Sequence, residues 1–239
     1  MSNAQVTPLI AHEAVPGFES CGVQAFTTTR QAGSFALASS EPASAVFGRW
    51  QALMEWLAPG VSRLAVAHQV HGDEVLVHGA GWQGWLRAIR ADGHFTRFRG
   101  TAMAVTLADC VPVFMAHPSG AAAVLHSGWR GTVARIVDRG VAAFRAEGYA
   151  PGDLVVHLGP AICGVCYVVG ADVYARLTGH SVDAPTPVDL RAIIADQARA
   201  AGVREITNSP WCTRCHNARF FSHRAGDDGR QLGVIASLR

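Results

Sequence analysis

Cys110 and His126 stand at the ends of two apolar runs, Ala108-Asp-Cys-Val-Pro-Val113 and Val124-Leu-His-Ser-Gly-Trp-Arg-Gly131, each cut short by polar and glycine-rich sequence. His71, in Gln69-Val-His-Gly-Asp-Glu74, adds a second imidazole. One thiol and two imidazoles suit two chemistries. A catalytic zinc takes three protein ligands and keeps a fourth position open, and its cysteine ligand is a thiolate. Alternatively, Cys110 is the nucleophile of a hydrolase, His126 its base, and Asp109 or Asp92 the orienting carboxylate. His68 competes with His71 as a ligand. Residues three apart on an extended segment face opposite ways, so one of the two is expected in the site. Asp109 is read either as a ligand-orienting or acid–base group, or as a carboxylate satisfying backbone amides in a turn.

The six cysteines include two C-x-x-C pairs, Cys163-Gly-Val-Cys166 and Cys212-Thr-Arg-Cys215. Free thiols are the first reading and a structural Cys₄ zinc site the alternative, because the gap between the pairs far exceeds the ~15–20 residues of a compact zinc ribbon. A chain of 239 residues with no basic, apolar leader is expected to be cytoplasmic, with its thiols reduced. Ser2-Asn3-Ala4 reads as a cloning remnant.

The elements that position these groups are legible from periodicity. Apolar positions Phe47, Trp50, Leu53, Met54 and Leu57 predict a helix over 47–57, preceded by a loop over 31–46. Strands are predicted at Leu64–Val66, Glu74–Val77, Ala102–Leu107, Val111–Ala116, Ala121–Leu125, Leu154–Leu158 and Val203–Ile206. Pro112 suggests a break or an edge strand. A helix over about 132–147 would bury Val133, Ile136, Val137, Val141 and Phe144 and end at Gly148. Asp189 caps another that ends at Gly202. Strands and helices mix without strict alternation, which gives a single α/β or α+β domain over residues 1–239. At 49% hydrophobic and 16% charged, the chain can bury a sizeable core. A net charge of +2 without a Lys/Arg stripe excludes a nucleic-acid surface. No apolar run reaches the ~18 residues of a membrane span. Nothing in the sequence specifies an oligomeric state.

The chain resembles the bacterial laccase-domain family, also called polyphenol oxidases, purine nucleoside phosphorylases or peptidoglycan-editing factors. The likeness rests on ordered blocks: Gln69-Val-His-Gly72, Ala91-Asp-Gly93, Ala108-Asp-Cys-Val-Pro112, His126-Ser-Gly-Trp-Arg-Gly131, Leu158-Gly-Pro-Ala-Ile162, Cys166-Tyr167, Val188-Asp-Leu190, Cys212-Thr213, Phe220-Phe-Ser-His-Arg224 and Gly229-Arg-Gln231. They span about residues 60–235. The resemblance implies a layered α+β sandwich shared with some cysteine-hydrolase-like proteins, and zinc at His71, Cys110 and His126. It also implies phosphorolysis of purine nucleosides (adenosine, inosine, guanosine, methylthioadenosine) with adenosine deamination alongside. Copper-dependent phenol oxidation is the family's older assignment. The family's N-terminal block is reduced here to Thr27–Arg30 and Gly33-Ser34, so no substrate contact is carried over from it. Cys163-Gly-Val-Cys166 stands where Gly-Pro-Cys-Cys is more usual, and Val168 where an acidic residue is common.

Phosphorolysis needs phosphate held near the anomeric carbon and a proton for the departing purine. Arg130, four residues after His126, is the first candidate to hold phosphate bidentately, with Arg224 and Arg230 behind it. Ser222 and His223 are expected at the pocket wall and Trp129 against the base. Zinc would acidify its bound water towards a pKa of about 7, making it a proton donor for phosphorolysis or a nucleophile for deamination. Copper is the alternative ion, although the chain has none of the His-x-His pairs of multicopper oxidases. The rival enzyme reading is a cysteine–histidine hydrolase or amidase acting on a cell-wall precursor.

Overall fold

The computed structural model describes residues 10–239, so the remnant at Ser2-Asn3-Ala4 lies outside the described residues. In chain order the elements are β1 (His12–Ala14), β2 (Val23–Thr28), α1 (Ala43–Leu57), β3 (Arg63–Ala67), β4 (Val75–His78), β5 (Gly84–Ala88), β6 (Gly93–Thr96), β7 (Thr101–Leu107), β8 (Val111–Ala116) and β9 (Ala122–Ser127). There follow α2 (Trp129–Val133), α3 (Ile136–Ala146), β10 (Val155–Leu158), β11 (Val168–Val169), α4 (Ala171–Thr178), β12 (Thr186–Pro187), α5 (Leu190–Ala200), β13 (Glu205–Asn208) and β14 (Gln231–Ser237).

Two mixed six-stranded sheets form, ordered β1-β2-β14-β7-β3-β5 and β13-β10-β8-β9-β6-β4. Side-chain alternation decides what each face meets. Ala102 and Ala104 of β7, with Leu64, Val66, Leu232 and Val234, pack under Val46, Trp50, Leu53 and Leu57 of α1. Met103, Val105 and Leu107 point the other way, with Ile235, onto Phe114, Ala116, Ala122 and Val124 of the second sheet. The outer face of that sheet, through Val113, Met115, Ala123 and Leu125, is covered by Ile136, Val137, Val141 and Phe144 of α3 and Ile194 and Ala198 of α5. The result is a four-layer α-β-β-α sandwich, the layered α+β class expected.

Several local expectations change. The helix expected over 132–147 is two helices, because Arg135 is left-handed (φ 60°) and breaks the chain between α2 and α3. Gly148 does end α3, at φ 84°, its N–H donating to the Arg145 carbonyl. The loop expected over 31–46 yields to α1 from Ala43 onward. Phe47 is 50% exposed and leans on Trp85, so the buried stripe of α1 runs through Val46 instead. β13 lies two residues beyond the expected strand. Pro112 lies on a central strand. The β8–β10 ladder ends at Val113, and the Pro112 carbonyl accepts from the Gly159 N–H, so the bond proline cannot donate falls at the ladder's end. Among the described residues no helix is long and apolar enough to cross a membrane.

Candidate metal centre and cleft

The chain passes from the first sheet to the second three times at one end of the sandwich. The β3–β4 loop carries His71, the β5–β6 loop carries Asp92 and the β7–β8 turn carries Cys110. β9 is antiparallel to β8 and places His126 opposite Pro112, beside that turn. His71, Cys110 and His126 consequently converge, with their ligand atoms within 4.8 Å of one another. His126 is buried, Cys110 half-buried and His71 exposed.

Asp92 organises the group. Its carboxylate is fully buried and accepts the backbone N–H groups of Val70, His71 and Gly72 at 3.0, 2.9 and 2.8 Å. His71 is left-handed (φ 60°), and this carboxylate fixes the strained turn around it. Asp92 Oδ1 also accepts from Nδ1 of His126 at 2.8 Å, which leaves Nε2 of His126 for a ligand. Burial raises the Asp92 carboxyl, but the His126 bond and charge and the amide bonds from Gly72 and Val70 hold it below the usual carboxylate range.

Burial pushes the Cys110 thiol up. The charge on His126 and hydrogen bonds to His126 and His71 outweigh it, and the thiol falls to about 6. Burial lowers His126, yet the Cys110 thiolate and the Asp92 carboxylate lift it to about 9. A thiolate is thus the resting form of Cys110 at neutral pH, as metal ligation requires. Gly128 makes room for it: a Cβ there would stand 2.8 Å from the Cys110 sulphur and 3.3 Å from Cδ2 of His71.

The three groups open on a cleft of ≈ 430 Å³. Phe35, Trp50, Val66 and Ala104 give it an apolar wall, and Arg87, Arg230, His68, His223 and Asp228 a polar one. His71 alone of the His68/His71 pair joins the ligand group; His68 lines the cleft beside it.

The other candidate residues lie differently. Arg230 lines the cleft, its Nη1 donating to the carbonyls of Asp227, Asp228 and Gly229. Arg130 is exposed on α2 with its guanidinium 4.2 Å over the Trp129 ring, and neither side chain lines the cleft. Arg224 stacks over Tyr167 at 4.8 Å and donates to the Val168 carbonyl, and its side chain does not line the cleft. Ser222 is buried, its Oγ accepting from the Ala225 N–H. Asp109, at φ 82°, accepts from the Thr213 hydroxyl at 2.6 Å and the Arg224 N–H at 2.7 Å, which matches its turn-stabilising reading. No motif in the sequence points to Phe35 to Ala38, Trp50, Arg87 or Asp228 as cleft residues, and a role for Asp92 is expected only in the hydrolase. The Asp-Gly pair ahead of an apolar strand was the available signal for Asp92.

Known proteins share this architecture. YlmD of Geobacillus stearothermophilus superposes with a TM-score of 0.83, covering 93% of each chain at 30% identity. Aligned by sequence, YlmD, named a purine nucleoside phosphorylase, is 36% identical over 206 residues, 77% of this chain and 75% of its own. A purine nucleoside phosphorylase of Streptomyces coelicolor is 37% identical over 182 residues, 73% of this chain and 75% of its own. A protein of an unknown prokaryotic organism, named an adenosine deaminase, is 35% identical over 157 residues, 60% of this chain and 58% of its own. The sequence signature described as multi-copper polyphenol oxidoreductase laccase runs through residues 24–238, which take in both sheets from β2 onward and every group of the cleft, and to that family the chain belongs.

Proposed function

We propose that the cleft carries out phosphorolysis of purine nucleosides, with adenosine deamination alongside, assisted by zinc held by His71, Cys110 and His126. The observation that carries this reading is the convergence of that group on a cleft whose wall also brings Arg87 and Arg230. The names of the relatives supply the substrate class. A thiolate and two imidazoles, one oriented by a buried carboxylate, fit zinc's preferred donors. When bound, the ion supplies Lewis-acid polarisation and lowers the pKa of water.

In phosphorolysis the glycosidic C–N bond breaks, a C–O bond to phosphate forms, and the purine leaves with one added proton. Phe35, Trp50, Val66 and Ala104 offer the base an apolar wall. Arg230 and Arg87 hold phosphate through charge-assisted hydrogen bonds. His68 and His223 are the imidazoles placed to give the purine its proton. Asp109, Arg224 and Ser222 brace the surrounding turns, and Arg130 stacks on Trp129.

The test is metal content and phosphate-dependent base release from adenosine and inosine, in wild type, Cys110→Ala and Arg230→Ala. Cys110→Ala should lose the cleft ion and turnover together. Arg230→Ala should raise the KM for phosphate and lower kcat/KM about 10- to 100-fold, the loss expected of a charged hydrogen bond. Base release that survives removal of Cys110 overturns the mechanism. Reconstitution with zinc or copper separates the ions: phenol oxidation confined to the copper form would favour an oxidase.

One geometric observation favours a second reading. Cys110, His126 and Asp92 form a thiol–imidazole–carboxylate chain, as a cysteine hydrolase or amidase acting on a cell-wall precursor would use. His71 has no part in that chemistry but completes a metal set. Full, iodoacetamide-sensitive amidase activity in chelator-stripped protein would decide for the hydrolase.

A further inference from the structure

We propose that Cys163, Cys166, Cys212 and Cys215 form a second, structural metal site that takes zinc as a tetrathiolate. The four sulphurs lie within 4.8 Å of one another, although the two pairs are far apart in sequence. Topology explains the meeting. β10 and β13 are parallel, with Leu158 opposite Asn208, so the loops that leave them emerge at the same end. The pairing reaches on to a bridge between Ala161 and Cys212. Each C-x-x-C segment therefore turns beside the other.

The local geometry is that of a ligand cage. The Cys163 N–H and the Cys215 N–H both donate to the Cys212 sulphur, at 3.3 and 3.4 Å, an arrangement that favours a thiolate there. The Cys163 carbonyl accepts the N–H groups of Cys166 and Tyr167, which folds that pair into a tight turn. The Cys166 and Cys215 sulphurs are 3.4 Å apart, and all four cysteines are free. Four thiolates around zinc at about 2.3 Å form a tetrahedron with edges of about 3.8 Å, the scale observed. Packing does not account for these residues. Cys212 is buried, but Cys163 and Cys166 are only partly so and Cys215 is exposed, unlike cysteines that serve as small core groups. Four protein sulphurs leave no open position, which marks the site as structural.

The cage sits behind the cleft. Ile162, next to Cys163, donates its N–H to the Asp109 carbonyl, and Thr213, next to Cys212, donates its hydroxyl to the Asp109 carboxylate. Zinc at the four cysteines thus clasps two loops against the turn that carries Cys110.

The test uses Cys110→Ala protein, purified reduced and supplied with zinc, in which the cleft group lacks its thiolate. Metal analysis and zinc X-ray absorption should show one zinc per chain with four sulphur neighbours at about 2.3 Å. In the wild-type protein, the same four cysteines should resist iodoacetamide until a chelator is added, with alkylation mapped by mass spectrometry. Cys212→Ser should lower the zinc content of the wild-type protein by one per chain. Zinc-free Cys110→Ala protein, a nitrogen- and oxygen-only shell, two disulfides, or alkylation indifferent to chelator would each overturn the proposal. The readouts are metal and thiol, so they stand whether or not nucleoside turnover is found.

Discussion

Asp92 carries more of the site than any proposed ligand, because one buried carboxylate holds the His71 turn and the His126 ring together. Asp92→Ala would strand three amide donors and an imidazole. Calorimetric or denaturant unfolding should show a loss of about 3–5 kcal/mol. Asp92→Asn should keep the fold but weaken metal binding about 10- to 100-fold. Gly128 is the complementary test. Its backbone (φ −85°, ψ −177°) tolerates any residue, so Gly128→Ala acts only through the Cβ set against the Cys110 sulphur. Metal loading and turnover should fall, turnover by about a hundredfold for a displacement near 1 Å, while the melting temperature moves little. The acid–base state gives a further check. At neutral pH in stripped protein, Cys110 (about 6) is deprotonated and His126 (about 9) protonated, so an incoming metal must displace the His126 proton. Affinity should rise about tenfold per pH unit between those values, with close to one proton released per ion. A pH-independent affinity would refute the assignment of His126 as a ligand.

At the scale of elements, the caps at Asp189 and Gly148 were legible, because capping chemistry is local. Asp189 accepts from the N–H groups of Arg191 and Ala192 at the start of α5, as its position before an apolar stripe implied. Asp189→Ala should cost about 1 kcal/mol, read as a shift in the denaturation midpoint. Arg191 on α5 also donates to the carbonyls of Ser209 and Trp211, just ahead of Cys212, so the same variant tests whether α5 steadies the thiol cage. Faster alkylation of Cys212 in Asp189→Ala would show that it does. The break between α2 and α3 was not legible. Arg135 has no residue signature for a left-handed turn; it adopts one because α3 must seat Ile136 and Val137 on the second sheet. Phe47 misled for a related reason: its helical spacing is right, but the face it occupies meets Trp85 near the surface.

Across the whole molecule, burial has left three histidines neutral. Burial holds His78 down at about 4. Burial, then the charge of His78, holds His94 at about 3, and burial, then Arg191, holds His157 at about 4. An unfolded histidine titrates near 6.5, so between that value and about 4 the unfolded chain binds more protons than the folded one. Stability should therefore fall as pH drops below about 6.5, and His157→Gln should flatten the slope. A melting temperature constant from pH 7 to 4.5 would contradict this. The sequence by itself determined a mixed α/β or α+β class, the core-facing stripes and the types of group available for chemistry, since alternation, capping and donor identity are properties of short segments. Only the tertiary structure decided which groups meet. The three sheet crossings, the β8–β9 register and the parallel β10–β13 pair bring Cys110 to His71, His126 to Asp92, and one C-x-x-C to the other. Those juxtapositions depend on strand order and register, which long-range burial sets and no local spacing encodes.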